Sequence, residues 1–169
     1  FQGIFPPVQL PFTNRTRELE ALDAVSKDGG LIVVFGRRRV GKTRLLTRWI
    51  ERSGGFYSQA IEAAVDIQIG QVVGDLAGVL PPGIHPRSWV EFFELLALRK
   101  EPAIVCLDEF PYLTASDPSL PSVIQKWMDH RCPEGFTLVL SGSSTSAMNA
   151  CFLNRSAPLY QRARKILAV

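Results

Sequence analysis

The chain has 169 residues, of which 46% are hydrophobic and 21% are charged, and this balance fits a single globular domain with a core of ordinary size. Its formal net charge of +3 permits a nucleic-acid partner without arguing for one, because no long block of Lys and Arg is present. No apolar run reaches the length of about 18 residues that a membrane-spanning helix needs, so we expect no membrane partner.

The first predicted elements are a helix, a strand and a second helix. They follow Phe1–Gly3, which we interpret as the remnant of a protease-cleavable affinity tag. Asn14 is placed to cap a helix that runs to about Asp28. The apolar run Leu31–Phe35 predicts a buried strand, and the helical spacing of apolar residues over 45–50 predicts the second helix.

The segment between this strand and the second helix, Gly36-Arg37-Arg38-Arg39-Val40-Gly41-Lys42-Thr43, matches a P-loop. Its glycines let backbone N–H groups approach phosphate oxygens, and the helix start adds the positive end of its dipole. Lys42 is predicted to reach the β- and γ-phosphates, and the Thr43 hydroxyl is predicted to bind Mg²⁺. Arg44, the next residue, is a further nucleotide-binding candidate. We interpret the arginines of the loop as a solvated cluster beside an anionic ligand rather than as a nucleic-acid contact.

Strand-like and helix-like stretches alternate along the rest of the chain. Strands are predicted at 56–58, 103–107, 137–140 and 165–169, and helices at 65–80, 88–98 and 121–131. Strands that alternate with helices predict an α/β fold with a mainly parallel sheet. We interpret the aromatic residues Trp89, Phe92 and Phe93 as core residues rather than as a platform for stacking bases.

Two acids, Asp108 and Glu109, close the apolar run that begins at Ile104. A buried strand that ends in an acid beside a P-loop is typical of a Walker B element. Asp108 is therefore predicted to hold Mg²⁺ together with Thr43. Glu109 is predicted to orient or deprotonate the attacking water, and its presence favours hydrolysis over simple binding.

A serine-rich turn, 141–144, follows the strand predicted at 137–140. A hydroxyl in this turn would sense the γ-phosphate of the nucleotide or hold the water, and an ordinary turn is the alternative interpretation. The pattern does not choose among Ser141, Ser143 and Ser144, and we take Ser143 as the catalytic candidate.

An arginine finger would complete the stabilisation of the transition-state charge. Three arginines beyond the serine-rich turn are candidates, Arg155, Arg162 and Arg164, and each of them is also compatible with an ordinary surface position. We take Arg162 as the candidate for the arginine finger.

The three cysteines, Cys106, Cys132 and Cys151, are far apart in the sequence and form no metal-binding pair. An odd number of isolated cysteines is typical of reduced thiols, so we predict a cytoplasmic protein. Cys106 lies inside an apolar run and is predicted to be part of the core.

Several segments together resemble the AAA-like P-loop ATPases of bacteria and archaea. In chain order they are Pro11–Leu19, Gly36–Thr43, Leu107–Leu113 (Leu-Asp-Glu-Phe-Pro-Tyr-Leu), Ser141–Ser144 with Met148, and Ala157–Arg162. The resemblance covers nearly the whole chain from about Phe12. The segment that begins with Asp108 and Glu109 is its most family-specific part, and the resemblance is to the signal-transducing branch of AAA proteins.

The resemblance implies a P-loop NTPase fold, a three-layer α/β/α sandwich whose five-stranded sheet has the order 5-1-4-3-2. It implies that Asn14 and Arg15 lie near the adenine of bound ATP or ADP. It also implies that 4–169 form the ATPase core and that the C-terminal lid carried by many relatives is absent from this chain. AAA-like ATPases often work as rings, whereas members of the signal-transducing branch can be monomeric until triggered, so self-association or a protein partner is expected besides the nucleotide. Some relatives continue into a nuclease-like domain, which keeps a nucleic-acid partner open.

The function predicted from these motifs is a Mg²⁺-dependent ATPase that hydrolyses ATP to ADP and phosphate. The alternative is a nucleotide-gated signalling switch that binds ATP and ADP with little turnover. A small-molecule kinase is disfavoured because no basic lid follows Asp108 and Glu109. A GTPase is disfavoured because the sequence has no Asn-Lys-x-Asp segment to read guanine.

Overall fold

Five parallel strands form the centre of the fold. The structure, a computed structural model, describes residues 15–37, 41–143 and 145–169, with the backbone alone at position 145. The strands are β1 (Gly30–Phe35), β2 (Phe56–Gln59), β3 (Ile104–Asp108), β4 (Thr137–Gly142) and β5 (Ala163–Ala168). Their order is β2-β3-β4-β1-β5, and each neighbouring pair is parallel. The predicted α/β fold and the order 5-1-4-3-2, which is the same order written from the other edge, are confirmed.

Helices cover both faces of this sheet. They are α1 (Thr16–Ser26), α2 (Lys42–Ser53), α3 (Val65–Asp75), α4 (Trp89–Ala97), α5 (Phe110–Ser116), α6 (Leu120–His130) and α7 (Thr145–Met148), which continues into a π-helical turn (Asn149–Leu153). Helices α1 and α2 pack on one face, and the later helices contribute to the core on the other. Among the described helices, none has both the length and the apolarity needed to cross a membrane.

Strand β1 is apolar from Leu31 to Phe35 because both faces of the sheet are buried at this position. In β1, Ile32 and Val34 pack with α1 and α2, whereas Leu31 and Val33 pack with the helices of the opposite face. Strands covered on both faces lack the alternation of polar and apolar residues seen in half-exposed sheets. The apolar run that predicted the first strand therefore also reflects its central position.

The aromatic residues of α4 are part of the core, as predicted. Trp89, Phe92 and Phe93 are each at most 1% exposed. The rings of Phe92 and Phe93 meet edge to face at 5.2 Å, and Phe93 lies 5.2 Å from Trp127 of α6. Such pairs add a favourable quadrupole interaction to the burial of apolar area.

The helix predicted at 65–80 is shorter than expected, and two helices were not predicted. Helix α3 ends at Asp75, and Gly78 beyond it has a φ of 97°, which interrupts helical continuation. Helix α5 has only seven residues, and α7 has only four. Segments of this length contain too few turns to show a helical period. The predicted Asn14 cap lies outside the described residues, and α1 begins at Thr16.

The parallel arrangement brings the carboxyl ends of β1, β3 and β4 to one edge of the sheet. At this edge Gly142, the last residue of β4, packs against the start of α5 and the end of α7. A Cβ at position 142 would lie 2.7 Å from Pro111 Cδ and 2.8 Å from Met148 Sδ, so only glycine fits there. This close packing holds the residues that follow β3 against those that follow β4.

Candidate nucleotide-binding site

The candidate site begins at the amino end of α2, directly after the carboxyl end of β1. Gly41 precedes the helix with a φ of 83°, in the left-handed region that favours glycine. The first N–H groups of α2 have no partner within the helix, and they carry the positive end of its dipole. An anionic group is therefore stabilised at this position.

Lys42, the first residue of α2, is only 4% exposed and faces the acids of β3. Its Nζ lies 2.5 Å from Asp108 Oδ1 and 3.4 Å from Glu109 Oε1. The next residue, Thr43, donates from Oγ1 to Asp108 Oδ2 at 2.8 Å. The structure thus brings together the start of α2 and the end of β3, which were predicted to form one site.

Asp108 is fully buried, and its two oxygens accept separate sets of hydrogen bonds. Oδ1 accepts from Lys42, from Ser141 Oγ at 2.6 Å and from the backbone N–H of Glu109 at 2.9 Å. Oδ2 accepts from Thr43 and from the Tyr57 hydroxyl at 2.5 Å. A buried carboxylate is tolerated only when it is paired and hydrogen-bonded, and these donors meet that requirement.

The protonation state of Asp108 follows from these contacts. Burial raises the pKa of Asp108, but hydrogen bonds from Lys42, Ser141 and Tyr57 outweigh burial, so the pKa lies below its usual value. The carboxylate is therefore ionised at neutral pH. Burial and the hydrogen bond to Asp108 raise the pKa of Tyr57, so its phenol keeps the proton that it donates.

Glu109 adopts a left-handed backbone conformation, with φ 56° and ψ 40°. For a residue other than glycine this costs about 1–3 kcal/mol, and such strain concentrates at functional sites. Ser143 Oγ donates to Glu109 Oε2 at 3.2 Å. The side chain of Glu109 is 17% exposed, so it is open to solvent in a way that Asp108 is not.

These groups line a cavity of about 670 Å³ at the carboxyl edge of the sheet. Its lining residues are Arg37, Gly41, Lys42, Thr43, Arg44, Thr47, Gln59, Glu109, Tyr112 and Ser143. The volume lies within the range of small-molecule sites, about 300–1,000 Å³. Asp108 is not part of this lining, since it lies buried against Lys42 and Thr43.

Other predicted nucleotide-binding residues lie around the same loop. Arg37 and Arg44 line the cavity, and the Gly36 N–H donates to Gly142 O at 3.4 Å. Arg15 Nη2 lies 3.9 Å from the position that a Cβ on Gly41 would occupy, so the start of α1 approaches the loop. The predictions for Asn14, Arg38, Arg39 and Val40 fall outside the described residues.

Arg162, the predicted arginine finger, is not brought to the cavity within this chain. It precedes β5 and pairs with Asp129 in the last turn of α6, at 3.1 Å. Arg164 donates to Gly29 O at 2.9 Å, just before β1. Because β5 runs parallel to β1, residues at its start lie at the amino edge of the sheet, opposite the cavity.

Sequence reasoning missed Tyr57 and did not distinguish the two serines of β4 and the turn after it. Ser141 contacts Asp108, whereas Ser143 contacts Glu109. Tyr57 lies on β2, whose register pairs Gln59 with Asp108. The predicted strand at 56–58 was the available signal, but only the pairing of β2 with β3 places the phenol beside the carboxylate.

The oxygen atoms at this site suit Mg²⁺. The Thr43 hydroxyl and the Asp108 carboxylate lie together, and both are hard oxygen ligands. Mg²⁺ is commonly held by one or two protein groups, with waters and substrate phosphates completing the shell. Among the residues that the structure describes, no cluster of three or more His, Cys, Asp or Glu side chains could hold a metal ion.

The five-stranded parallel sheet and the helices on its two faces have the α/β fold of P-loop NTPases. No protein-family model matches it. It is 31% identical over 163 residues to the uncharacterized protein MJECL04 of Methanocaldococcus jannaschii, an alignment that covers 94% of this chain and 35% of that protein. The chain therefore spans about a third of the length of this relative.

Solved structures share the fold. The Walker-type ATPase PABY2304 of Pyrococcus abyssi superposes with a TM-score of 0.71 and 20% identity, over 92% of this chain and 53% of that one. Cdc6p of Pyrobaculum aerophilum superposes with a TM-score of 0.62 and 18% identity, over 98% of this chain and 47% of that one. A chain of the Drosophila ORC bound to DNA superposes with a TM-score of 0.64 and 16% identity, over 94% of this chain and 42% of that one. At these identities the likeness shows a P-loop ATPase fold.

Proposed function

We propose that this chain binds ATP and, with Mg²⁺, hydrolyses it to ADP and phosphate at the cavity beside α2. One observation carries the proposal. Lys42 and Thr43 at the start of α2 lie against Asp108 and Glu109 at the end of β3. Ser143 donates a hydrogen bond to Glu109, and both residues line the same cavity. A phosphate cradle, a metal-binding carboxylate and a candidate base are the parts that phosphoryl transfer to water needs.

Binding is proposed to depend on the α2 start and on Lys42. The Nζ of Lys42 lies between Asp108 and Glu109, so it is held at the cavity by two carboxylates. The β- and γ-phosphates would offer Lys42 further anionic partners, while the first N–H groups of α2 would contact phosphate oxygens. Arg15, Arg37 and Arg44 would contribute positive potential around the nucleotide.

Thr43 and Asp108 are the residues proposed to hold Mg²⁺. When bound, the ion would neutralise charge that develops on the β- and γ-phosphate oxygens. Asp108 is suited to this role because its low pKa keeps it ionised and because Ser141 and Tyr57 fix its orientation.

Glu109 is the proposed base. A water held by its carboxylate would form a new bond to the γ-phosphorus as the bond from that phosphorus to the β,γ-bridging oxygen breaks. The proton of the water passes to Glu109, and the electron pair of the broken bond stays on ADP. Ser143 would orient Glu109 through the hydrogen bond already present. Arg162 would reach the γ-phosphate only from a second copy of the chain, since its own strand places it at the opposite edge.

The solved structures that share the fold support ATP as the nucleotide, without assigning roles to individual residues. The P. abyssi structure is described as a Walker-type ATPase, and its likeness covers most of this chain. We propose that the chain belongs with the signal-transducing AAA-like ATPases and acts with a protein partner or with further copies of itself. The Drosophila ORC structure was solved with DNA, which supports testing nucleic acid as a partner as well.

The test is phosphate release from ATP by the unsubstituted chain and by Glu109→Gln. We expect the substitution to lower the rate constant at least about 100-fold while nucleotide affinity stays within about 3-fold, because the base acts in the chemical step. Glu134→Gln, the same change at an exposed position before β4, is the matched control and should retain the full rate. Equal rates for Glu109→Gln and Glu134→Gln would refute the role of Glu109. Tight binding of ATP without phosphate release by the unsubstituted chain would favour the nucleotide-gated switch.

A further inference from the structure

Tyr57 is the one residue of β2 whose side chain hydrogen-bonds to the acid proposed to hold the metal. Its hydroxyl donates to Asp108 Oδ2 at 2.5 Å, although 51 residues separate the two in the chain. The same oxygen accepts from Thr43 at 2.8 Å. Tyr57 therefore acts on the oxygen that lies next to the other proposed Mg²⁺ ligand.

The position of Tyr57 follows from the register of the sheet. Tyr57 pairs with Cys106 on β3, and Asp108 lies two residues farther along β3, on the same face. The ring packs against the core on the α1 and α2 side, so its hydroxyl is directed by a supported aromatic ring. A donor held in this way restricts the rotation of the carboxylate that receives its hydrogen bond.

The two oxygens of Asp108 have different supports. Ser141 and the Glu109 N–H hold Oδ1, along with Lys42. On Oδ2, the contacts are those of Thr43 and Tyr57. Thr43 is itself a proposed metal ligand. Of these two donors to Oδ2, Tyr57 is therefore the one that is not proposed to contact the metal.

We propose that Tyr57 is a positioning residue that sets the Mg²⁺ affinity of this site by orienting Asp108 through Oδ2. The inference rests on the proposed function, since it takes Asp108 and Thr43 as the residues that hold the ion. Hydrogen-bond partners of metal ligands orient the ligand, and their removal commonly weakens metal binding or activity about 10–100-fold. Tyr57 has no direct contact with the phosphates in this assignment, so its loss should leave metal-free nucleotide binding intact.

The experiment compares Tyr57→Phe with Tyr160→Phe, which removes a phenol shortly before β5 that does not line the cavity. Metal-free affinity for ADP is measured by calorimetry in EDTA. Metal affinity is then measured on the ADP-saturated chain by electron paramagnetic resonance of Mn²⁺, a paramagnetic substitute for Mg²⁺. We expect Tyr57→Phe to bind Mn²⁺ about 10-fold more weakly, with ADP affinity in EDTA within about 2-fold of the unsubstituted chain.

The outcomes separate this inference from the proposed function. Equal Mn²⁺ affinity in Tyr57→Phe and Tyr160→Phe would overturn the role of Tyr57 and leave the ATPase proposal standing. If the unsubstituted chain bound neither ADP nor Mn²⁺ with ADP, both proposals would be overturned together. A parallel loss of ADP and Mn²⁺ affinity would assign Tyr57 a general structural role and overturn the inference. Should Tyr57→Phe not fold, Tyr57→Met, which fills the space flexibly and also lacks a donor, carries the same expectations.

Discussion

Lys42 Nζ and Asp108 Oδ1 lie 2.5 Å apart, although 66 residues separate them in the chain. Lys42 is 4% exposed and Asp108 is fully buried. Burying two charges costs desolvation free energy that their mutual attraction only partly offsets, so the pair is weak evidence for a stabilising role. Its position at the start of α2 instead agrees with a lysine that is held ready for a phosphate ligand.

We predict that Lys42→Met abolishes measurable nucleotide binding and also lowers the free energy of unfolding by about 2 kcal/mol. The physical reason is that Asp108 loses its cationic partner while it stays buried, a loss that the remaining hydrogen-bond donors offset in part. Urea unfolding and calorimetry with ADP are the measurements. Lys27→Met, at an exposed position after α1, is the control. An unchanged free energy of unfolding in Lys42→Met would contradict the prediction.

The pKa of Asp108 predicts how stability depends on pH. Because this pKa is lower in the folded chain than in the unfolded one, the carboxylate stabilises the fold above its unfolded pKa of about 3.9. This contribution is lost as the pH falls through the folded pKa, since the unfolded chain takes up the proton first. We expect the difference in free energy of unfolding between the unsubstituted chain and Asp108→Asn to be constant from pH 7 to 5 and to shrink below about pH 4. A difference that stays constant to pH 3 would be inconsistent with a lowered pKa.

Glycines with positive φ flank both ends of α2 and allow a matched comparison. Gly41 precedes the helix at φ 83°, and Gly54 follows it at φ 75°, with no atom within 4 Å of an added Cβ. We expect Gly41→Ala and Gly54→Ala to destabilise the chain similarly, by about 1–2 kcal/mol, because both place Ala in the left-handed region. Only Gly41→Ala should also weaken ADP binding, as measured by calorimetry. Equal ADP affinity in both variants would argue against a phosphate contact at the α2 start.

The two serines near the end of β4 should have separable roles. Ser143 donates to Glu109, so Ser143→Ala is expected to lower kcat about 10-fold and to leave KM for ATP within about 2-fold. Ser141 donates to Asp108, so Ser141→Ala should instead raise the Mg²⁺ concentration needed for half-maximal activity. Steady-state phosphate release over a Mg²⁺ titration distinguishes the two. Identical profiles for the two variants would contradict this division.

Much of the fold was predictable because its signals are local. The run Leu31–Phe35 is apolar throughout, since β1 lies in the sheet with both faces covered, and the structure confirms a strand at Gly30–Phe35. The α3 boundary was less predictable, since apolar spacing continues to Leu80 while the helix stops at Asp75. Backbone conformation beyond that point depends on packing of the chain after α3 against the core, which a helical period does not report.

For the candidate site, the amino-acid sequence by itself determined the strand, loop and helix start around Gly41 and Lys42 and the strand that ends at Asp108, because each depends on neighbouring residues. Only the tertiary structure decided that Tyr57 and Ser141 hold Asp108 and that Ser143 holds Glu109. These contacts depend on which strands are neighbours and in what register. Hydrogen bonds of this kind form only between atoms about 3 Å apart, however distant their residues are in the chain. Packing across the whole sheet decides which strands are neighbours, and therefore which side chains come within that distance.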